Sequence, residues 1–208
     1  MILTVGDSFT YGSELLDKNS AWPYLLNKTV KNQGANGSSN DRIFRVSIEE
    51  TCLNKFDFVI VAWSFTNRKE VYQKDNIHNG PICINHSFDN NLSWVTDYFK
   101  QSYNKDFAFQ QWITQVIALQ SYFKHIDQKY IFCMVEGIKS HEYTKYSDSI
   151  GHLLNKVDKD FYLGWPHIGM IDMAKNTPKG PQGHFLEQGH KLVAEKINEH
   201  IRNLGWIS

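Results

Sequence analysis

Long basic runs, paired cysteine motifs, internal repeats, low-complexity tracts and apolar segments of membrane-spanning length are all missing from this 208-residue chain. Each absence closes a class of function. Lys+Arg and Asp+Glu are both 22, so the formal net charge is zero and no field draws nucleic acid or an anionic membrane. Small neutral or mildly charged ligands suit such a surface better. The three cysteines, Cys52, Cys83 and Cys133, are odd in number and lack the spacing of a zinc site or a disulfide framework, which leaves buried or incidental thiols. His78, His86, His125, His141, His152 and His167 show no metal-ligand spacing, and no metal or organic cofactor is expected. The apolar start at residues 1–5 runs directly into Gly6-Asp7-Ser8, with neither a basic leader region nor a long apolar core behind it. No signal peptide is therefore predicted, and a cytoplasmic location is the default.

What is present is enough apolar sequence for one large core, read as a single domain over residues 1–208. Residues 1–5 and 30–34 read as strands. The near-continuous apolar runs at 56–63 and 129–135 read as strands covered on both faces, the mark of a parallel sheet. Helical spacing appears at 41–51, at 107–125 and at 187–204, and Trp22-Pro23 opens a helix over 22–27. Strands alternating with helices predict a doubly wound α/β fold, a mostly parallel central sheet flanked by helices in three layers, similar to flavodoxin. Ligands in such folds sit beyond the carboxyl ends of the strands. Ser8 and residues 64–67 both fall there.

Residues 70–106 break this rhythm. They are polar and rich in Asn, and they hold Gly80, Pro81, Trp94, Tyr98, Phe99 and Tyr103 without clear periodicity. A segment of that length and aromatic content reads as a partly ordered lid or a substrate-recognition insert.

Chemistry concentrates at the two ends. In Gly6-Asp7-Ser8-Phe9-Thr10-Tyr11-Gly12 a serine follows directly on a strand, between glycines that let the backbone turn sharply and approach a ligand. In Gly183-His184-Phe185-Leu186-Glu187-Gln188-Gly189-His190 a histidine stands just ahead of an amphipathic helix. A serine hydroxyl is a poor nucleophile until a base takes its proton, and imidazole is neutral yet basic enough near pH 7 to do so. Asp7 reads as a structural hydrogen-bonding residue, and residues 40–42 as a helix cap and first turn. Arg68 can hold a substrate carboxylate or phosphate, or pair with Glu70 or another acid.

These blocks, with Gly34-Ala35-Asn36-Gly37 after the second strand, resemble the SGNH (GDSL) hydrolase family across nearly the whole chain. The resemblance implies Ser8 as nucleophile, His184 as general base, and an oxyanion hole formed by Ser8 and Gly37 N–H groups with a side chain of the third block. The family's third block is Gly-x-Asn-Asp, where this chain has Ser64-Phe65-Thr66-Asn67-Arg68. A gapless overlay puts Thr66 on the asparagine, so Asn67 is the expected donor and Thr66 its rival. The family also carries Asp three residues before the histidine, and this chain has Pro181 there. A backbone carbonyl, or a carboxylate from elsewhere such as Asp172 or Glu187, would have to orient His184. By the same comparison His190 belongs to helix surface or packing. Trp22-Pro23, residues 34–43 and Trp63-Ser64 with Arg68 further resemble a divergent SGNH branch common in tailed-phage genomes, whose members would reside in the virion or the host cytoplasm.

The expected activity is hydrolysis of small acyl esters, acetyl above all, with carbohydrate as the favoured carrier, through a Ser-His dyad or triad. The alternative is a catalytically impaired SGNH scaffold that binds a glycan or a protein. Acyl transfer by the same pair, with water excluded by the insert, is a third reading.

Overall fold

The computed structural model describes residues 1–71, 82–85 and 93–207 of the chain. Gly80, Pro81, His78 and His86 lie outside the described residues. Four strands, β1 (Ile2–Gly6), β2 (Val30–Gly34), β3 (Phe58–Trp63) and β6 (Tyr130–Met134), form one sheet in the order β2-β1-β3-β6. Every neighbouring pair is parallel, with Ile2 opposite both Val30 and Phe58, and Val59 opposite Tyr130.

Both faces of this sheet are covered, which is why β3 and β6 read as unbroken apolar runs. Successive side chains point to opposite faces. Leu3, Val5, Val59, Val61, Trp63 and Phe132 pack on one side. They meet α2 (Asn40–Leu53), α4 (Lys105–His125) and α5 (Ser140–Leu154) through Ile43, Ile113, Val116 and Leu154. Ile2, Phe58, Ile60, Ala62, Ile131 and Cys133 face the other side. There they meet Trp22, α6 (Met170–Met173) and α7 (Glu187–Asn203), the last through Val193, Ile197 and Ile201. The result is a doubly wound, three-layer α/β/α fold. The chain leaves β1 toward β2 and then crosses back to β3, so the carboxyl ends of β1 and β3 flank the point where the winding reverses.

Two local expectations change. The helix expected over 22–27 is only a short 3-10 turn, Trp22–Leu25. Leu26 already has extended backbone and is buried with Trp22, so packing against α7 ends the turn early. Within 70–106 the described residues are more regular than their composition suggests. β4 (Arg68–Val71) pairs antiparallel with β5 (Ile82–Asn85), and α3 (Ser93–Ser102) follows. Ile84, Val95 and Phe99 form a small apolar cluster of their own, with Trp94, Tyr98 and Tyr103 packed against it. No helix among the described residues is long and apolar enough to cross a membrane.

Candidate active site

Ser8 is the first residue of a one-turn helix, α1 (Ser8–Tyr11), set directly on the end of β1. Asp7 caps that turn: its Oδ1 accepts from Phe9 N at 3.0 Å, while its carbonyl accepts from Thr10 and Tyr11 N. Gly12, at φ 82°, closes it. The serine is thus held rigidly by backbone bonds on both sides, and it is only 5% exposed.

His184 comes from a tight turn ahead of α7. Gly180 N donates to His184 O at 2.8 Å, Gly183 N donates to Gly180 O at 2.9 Å, and Leu186 N donates to Pro178 O at 3.0 Å. The ring packs on Phe9, centroids 4.7 Å apart, and Phe9 in turn packs on Phe185. So placed, His184 Nε2 lies 2.9 Å from Ser8 Oγ.

The far ring nitrogen, Nδ1, is 2.8 Å from Glu14 Oε2. An ionised carboxylate only accepts, so Nδ1 carries the hydrogen and Nε2 is left free to accept from the serine hydroxyl. Glu14 also binds the turn that carries the histidine: Oε1 accepts from Gln182 N at 2.8 Å, and Oε2 from His184 N at 3.1 Å. Partial burial pushes the Glu14 pKa up. The amide of Gln182 and the ring and amide of His184 outweigh that, and the net shift is downward.

Neither carboxylate considered from sequence occupies this place. Asp172 Oδ2 accepts from Gly169 N at 2.8 Å and Gly137 N at 3.3 Å, within the turn that starts α6. Glu187 is the exposed first residue of α7. Glu14 is hidden from sequence reading because it lies 170 residues from His184 and on no recognisable block. The one available signal is conformational: its backbone is left-handed, φ 66°, uncommon for a non-glycine residue and frequent at functional sites. Lys18 holds that conformation, donating from Nζ to Gly12 O at 2.8 Å and Leu15 O at 3.2 Å on either side of it.

Gly37 lies in the turn after β2 at φ 69°, with open space where a Cβ would stand. Its requirement is therefore backbone conformation, not room. Ser13 hydrogen-bonds Asn36 in the same turn, which ties that turn to the Glu14 loop. Thr66 shares a hydrogen bond with Tyr103, whose phenol pKa burial raises and this bond partly lowers. Asn67 Oδ1 is buried without a partner among the described residues. Both residues, with Ser64, line a cleft of about 260 Å³ that continues past Tyr103 and Trp112 to Glu136 and Lys139.

Arg68 takes the second of its expected uses, pairing with an acid other than Glu70. It is 9% exposed, and it pairs with Asp7 at 2.8 Å instead of Glu70, which is taken by Arg45. His190 is fully buried, its Nδ1 accepting from Trp22 N at 3.1 Å. Among the described residues no group of three or more His, Cys, Asp or Glu side chains is placed to hold a metal ion.

The fold is shared with solved structures of hydrolases at low sequence identity. The psychrotrophic esterase EstA from Pseudoalteromonas sp. is 12% identical over 98% of this chain and 97% of its own, with a TM-score of 0.57. The acetylxylan esterase Axe2 from Geobacillus stearothermophilus is 13% identical over 100% of this chain and 95% of its own, at 0.56. A protein from Desulfitobacterium hafniense DCB-2 assigned to the lipolytic G-D-S-L family is 15% identical over 96% of this chain and 98% of its own, at 0.54. The likeness is one of fold: the parallel sheet and flanking helices are those of GDSL-type hydrolases and esterases. No curated protein matches the sequence. The model of a family of unknown function, DUF6071, matches residues 10–208, and the chain belongs to that family.

Proposed function

We propose that the chain is a serine esterase of the SGNH type, acting through a Ser8-His184-Glu14 triad. The observation that carries this reading is the unbroken relay from Glu14 Oε2 to His184 Nδ1 at 2.8 Å, and from His184 Nε2 to Ser8 Oγ at 2.9 Å. Ser8 Oγ attacks the ester carbonyl as His184 Nε2 takes its proton. The ester C–O bond then breaks, and His184 returns the proton to the leaving alcohol. Water, deprotonated by His184, releases the acyl group from Ser8. Glu14 fixes the tautomer and stabilises the imidazolium that forms in each half-reaction. The tetrahedral oxyanion is held by the N–H groups of Ser8 and Gly37 and by the third-block loop, where Asn67 is the first choice and Thr66 the second. The chemistry calls for no metal or cofactor.

Small acyl groups, acetyl first, on a carbohydrate alcohol are the proposed substrates. Axe2, of the same fold, is named for acetylxylan, and here the cleft beside Ser64 mixes aromatic walls with hydroxyl, amide and charged groups. The test is fluorophosphonate labelling followed by peptide mass spectrometry on the native chain and on Ser8→Ala and His184→Ala. Label on Ser8 that is absent in both variants supports the esterase. A folded native chain that takes no label supports the binding scaffold instead, and screening acetylated sugars is the next step only in the first case.

A further inference from the structure

We propose that Arg68 is a positioning residue for the oxyanion side of the site, one that locks the loops ending β1, β2 and β3 into a single register; this rests on the esterase reading above. Oxyanion donors act only when they stand at hydrogen-bond distance from a position that the ground-state carbonyl does not yet occupy. Here the three donor segments are separate loops, so something must fix their relative positions.

One nitrogen touches all three. Arg68 Nη1 donates to Asp7 Oδ2 at 2.8 Å, to Ser64 Oγ at 2.8 Å and to Ser38 O at 3.3 Å. Asp7 immediately precedes Ser8, Ser38 immediately follows Gly37, and Ser64 opens the segment that holds Thr66 and Asn67. The cage closes on itself. Ser64 Oγ donates to Asp7 Oδ2 at 2.6 Å, Asn40 Oδ1 accepts from Ser64 N at 2.8 Å, and Asn40 Nδ2 donates to Ser64 O at 3.1 Å. Asp7, Ser38, Asn40, Ser64 and Arg68 are all buried. The guanidinium also lies over the Phe65 ring, 4.9 Å from its centroid.

A buried ion pair is a poor device for stability, because desolvating two charges offsets most of their attraction. It is a good device for geometry, since few arrangements satisfy every partner at once. With its charge paired to Asp7 and its Nη1 committed to Asp7, Ser64 and Ser38, Arg68 is assigned to the loops and not to the substrate. Among the described residues its polar contacts run through Nη1, and Nε has no partner. A lysine ammonium, with three donors on one nitrogen, can therefore replace it in part.

The experiment compares the native chain with Arg68→Met, Arg68→Lys and Ser64→Ala, each shown folded by circular dichroism. It measures kcat and KM on p-nitrophenyl acetate and the rate of fluorophosphonate labelling, whose phosphoryl oxygen occupies the oxyanion position. The expected result for Arg68→Met is a loss of about 100-fold in kcat, comparable to removing one donor, with KM within about twofold and labelling slowed in parallel. Arg68→Lys recovers most of the labelling rate. Should Arg68→Met fail to fold, Ser64→Ala carries the test, with the same split between kcat and KM at roughly tenfold. A raised KM with unchanged kcat makes Arg68 a substrate contact and overturns the proposal, as do unchanged rates in a variant of an active native chain. A folded native chain inert to both probes overturns the esterase reading itself, and this proposal with it.

Discussion

Glu14 Oε2 accepts from both the ring Nδ1 and the backbone N of His184, at 2.8 and 3.1 Å, so one carboxylate oxygen fixes both the orientation of the imidazole and the turn that carries it. Replacing it by an amide of the same shape changes the chemistry more than the packing. Glu14→Gln can offer N–H to Nδ1 and so favour the wrong tautomer. In a well-studied serine protease the equivalent change lowers turnover by roughly 10⁴. Turnover of p-nitrophenyl acetate by Glu14→Gln is expected to fall by about 10²- to 10⁴-fold with KM little changed, and Glu14→Asp to recover part of it. Equal activity in all three proteins removes Glu14 from the triad.

Much of the fold and two of the three residues of the proposed triad are legible in the sequence. The runs at 56–63 and 129–135 announce buried parallel strands because both faces of those strands are covered, and Ser8 and His184 stand out because each sits at a strand or helix boundary. Glu14 does not, because its role depends on a left-handed residue in an irregular loop folding back across the whole sequence. For Arg68 the sequence offers an acid as partner without naming it, because Asp7 is 61 residues away and fully buried. The third-block donors stay divided between Asn67 and Thr66 because a one-residue shift of a loop cannot be read from spacing.

Lys18 tests whether the Glu14 loop must be held in place. Its ammonium joins Gly12 O and Leu15 O, bracketing the left-handed residue, and it lies 5.1 Å from the Tyr11 ring centroid. Lys18→Met keeps the aliphatic stem and removes both bonds. Each is a charge-assisted hydrogen bond near the surface, worth roughly 1 to 2 kcal/mol at most. The variant is expected to stay folded while kcat drops about tenfold, which stopped-flow or steady-state kinetics with a circular-dichroism melt will show. A lower melting temperature with unchanged kcat would assign Lys18 to stability alone.

Gly180 separates activity from stability at the same contact. A Cβ built there would stand 2.4 Å from Glu14 Oε1 and 2.5 Å from its Cδ. The clash falls on the end of a flexible side chain, so Gly180→Ala can relieve it by pushing the carboxylate aside instead of unfolding the turn. The expected outcome is a small change in stability, under about 1 kcal/mol, with a loss of kcat approaching that of Glu14→Gln. If kcat is retained, Glu14 can reach His184 by another path.

His190 predicts how the fold responds to acid. Burial lowers its pKa from 6.5 to about 4, with the neighbouring charges of His184 and Lys18 adding to the effect. Its Nδ1 must also stay unprotonated to accept from Trp22 N. In the unfolded chain the same imidazole binds a proton below about pH 6.5, while in the native state it stays neutral down to about pH 4. The unfolded state thus holds more protons across that window, and stability rises with pH through it. The stabilisation is complete above the unfolded value and is lost as pH falls from about 6.5 to about 4, a span corresponding to roughly 3 kcal/mol. Urea unfolding at several pH values between 7 and 4 measures it directly. His190→Asn keeps an acceptor for the Trp22 amide without a titrating ring, so it should be less stable than the native chain at pH 7 and show a flatter decline toward pH 4. An equal slope in both proteins would remove His190 as the source of acid sensitivity between about pH 6.5 and about pH 4; Glu14, whose pKa is lowered from 4.5, loses its contribution only at the acid edge of that window and below it.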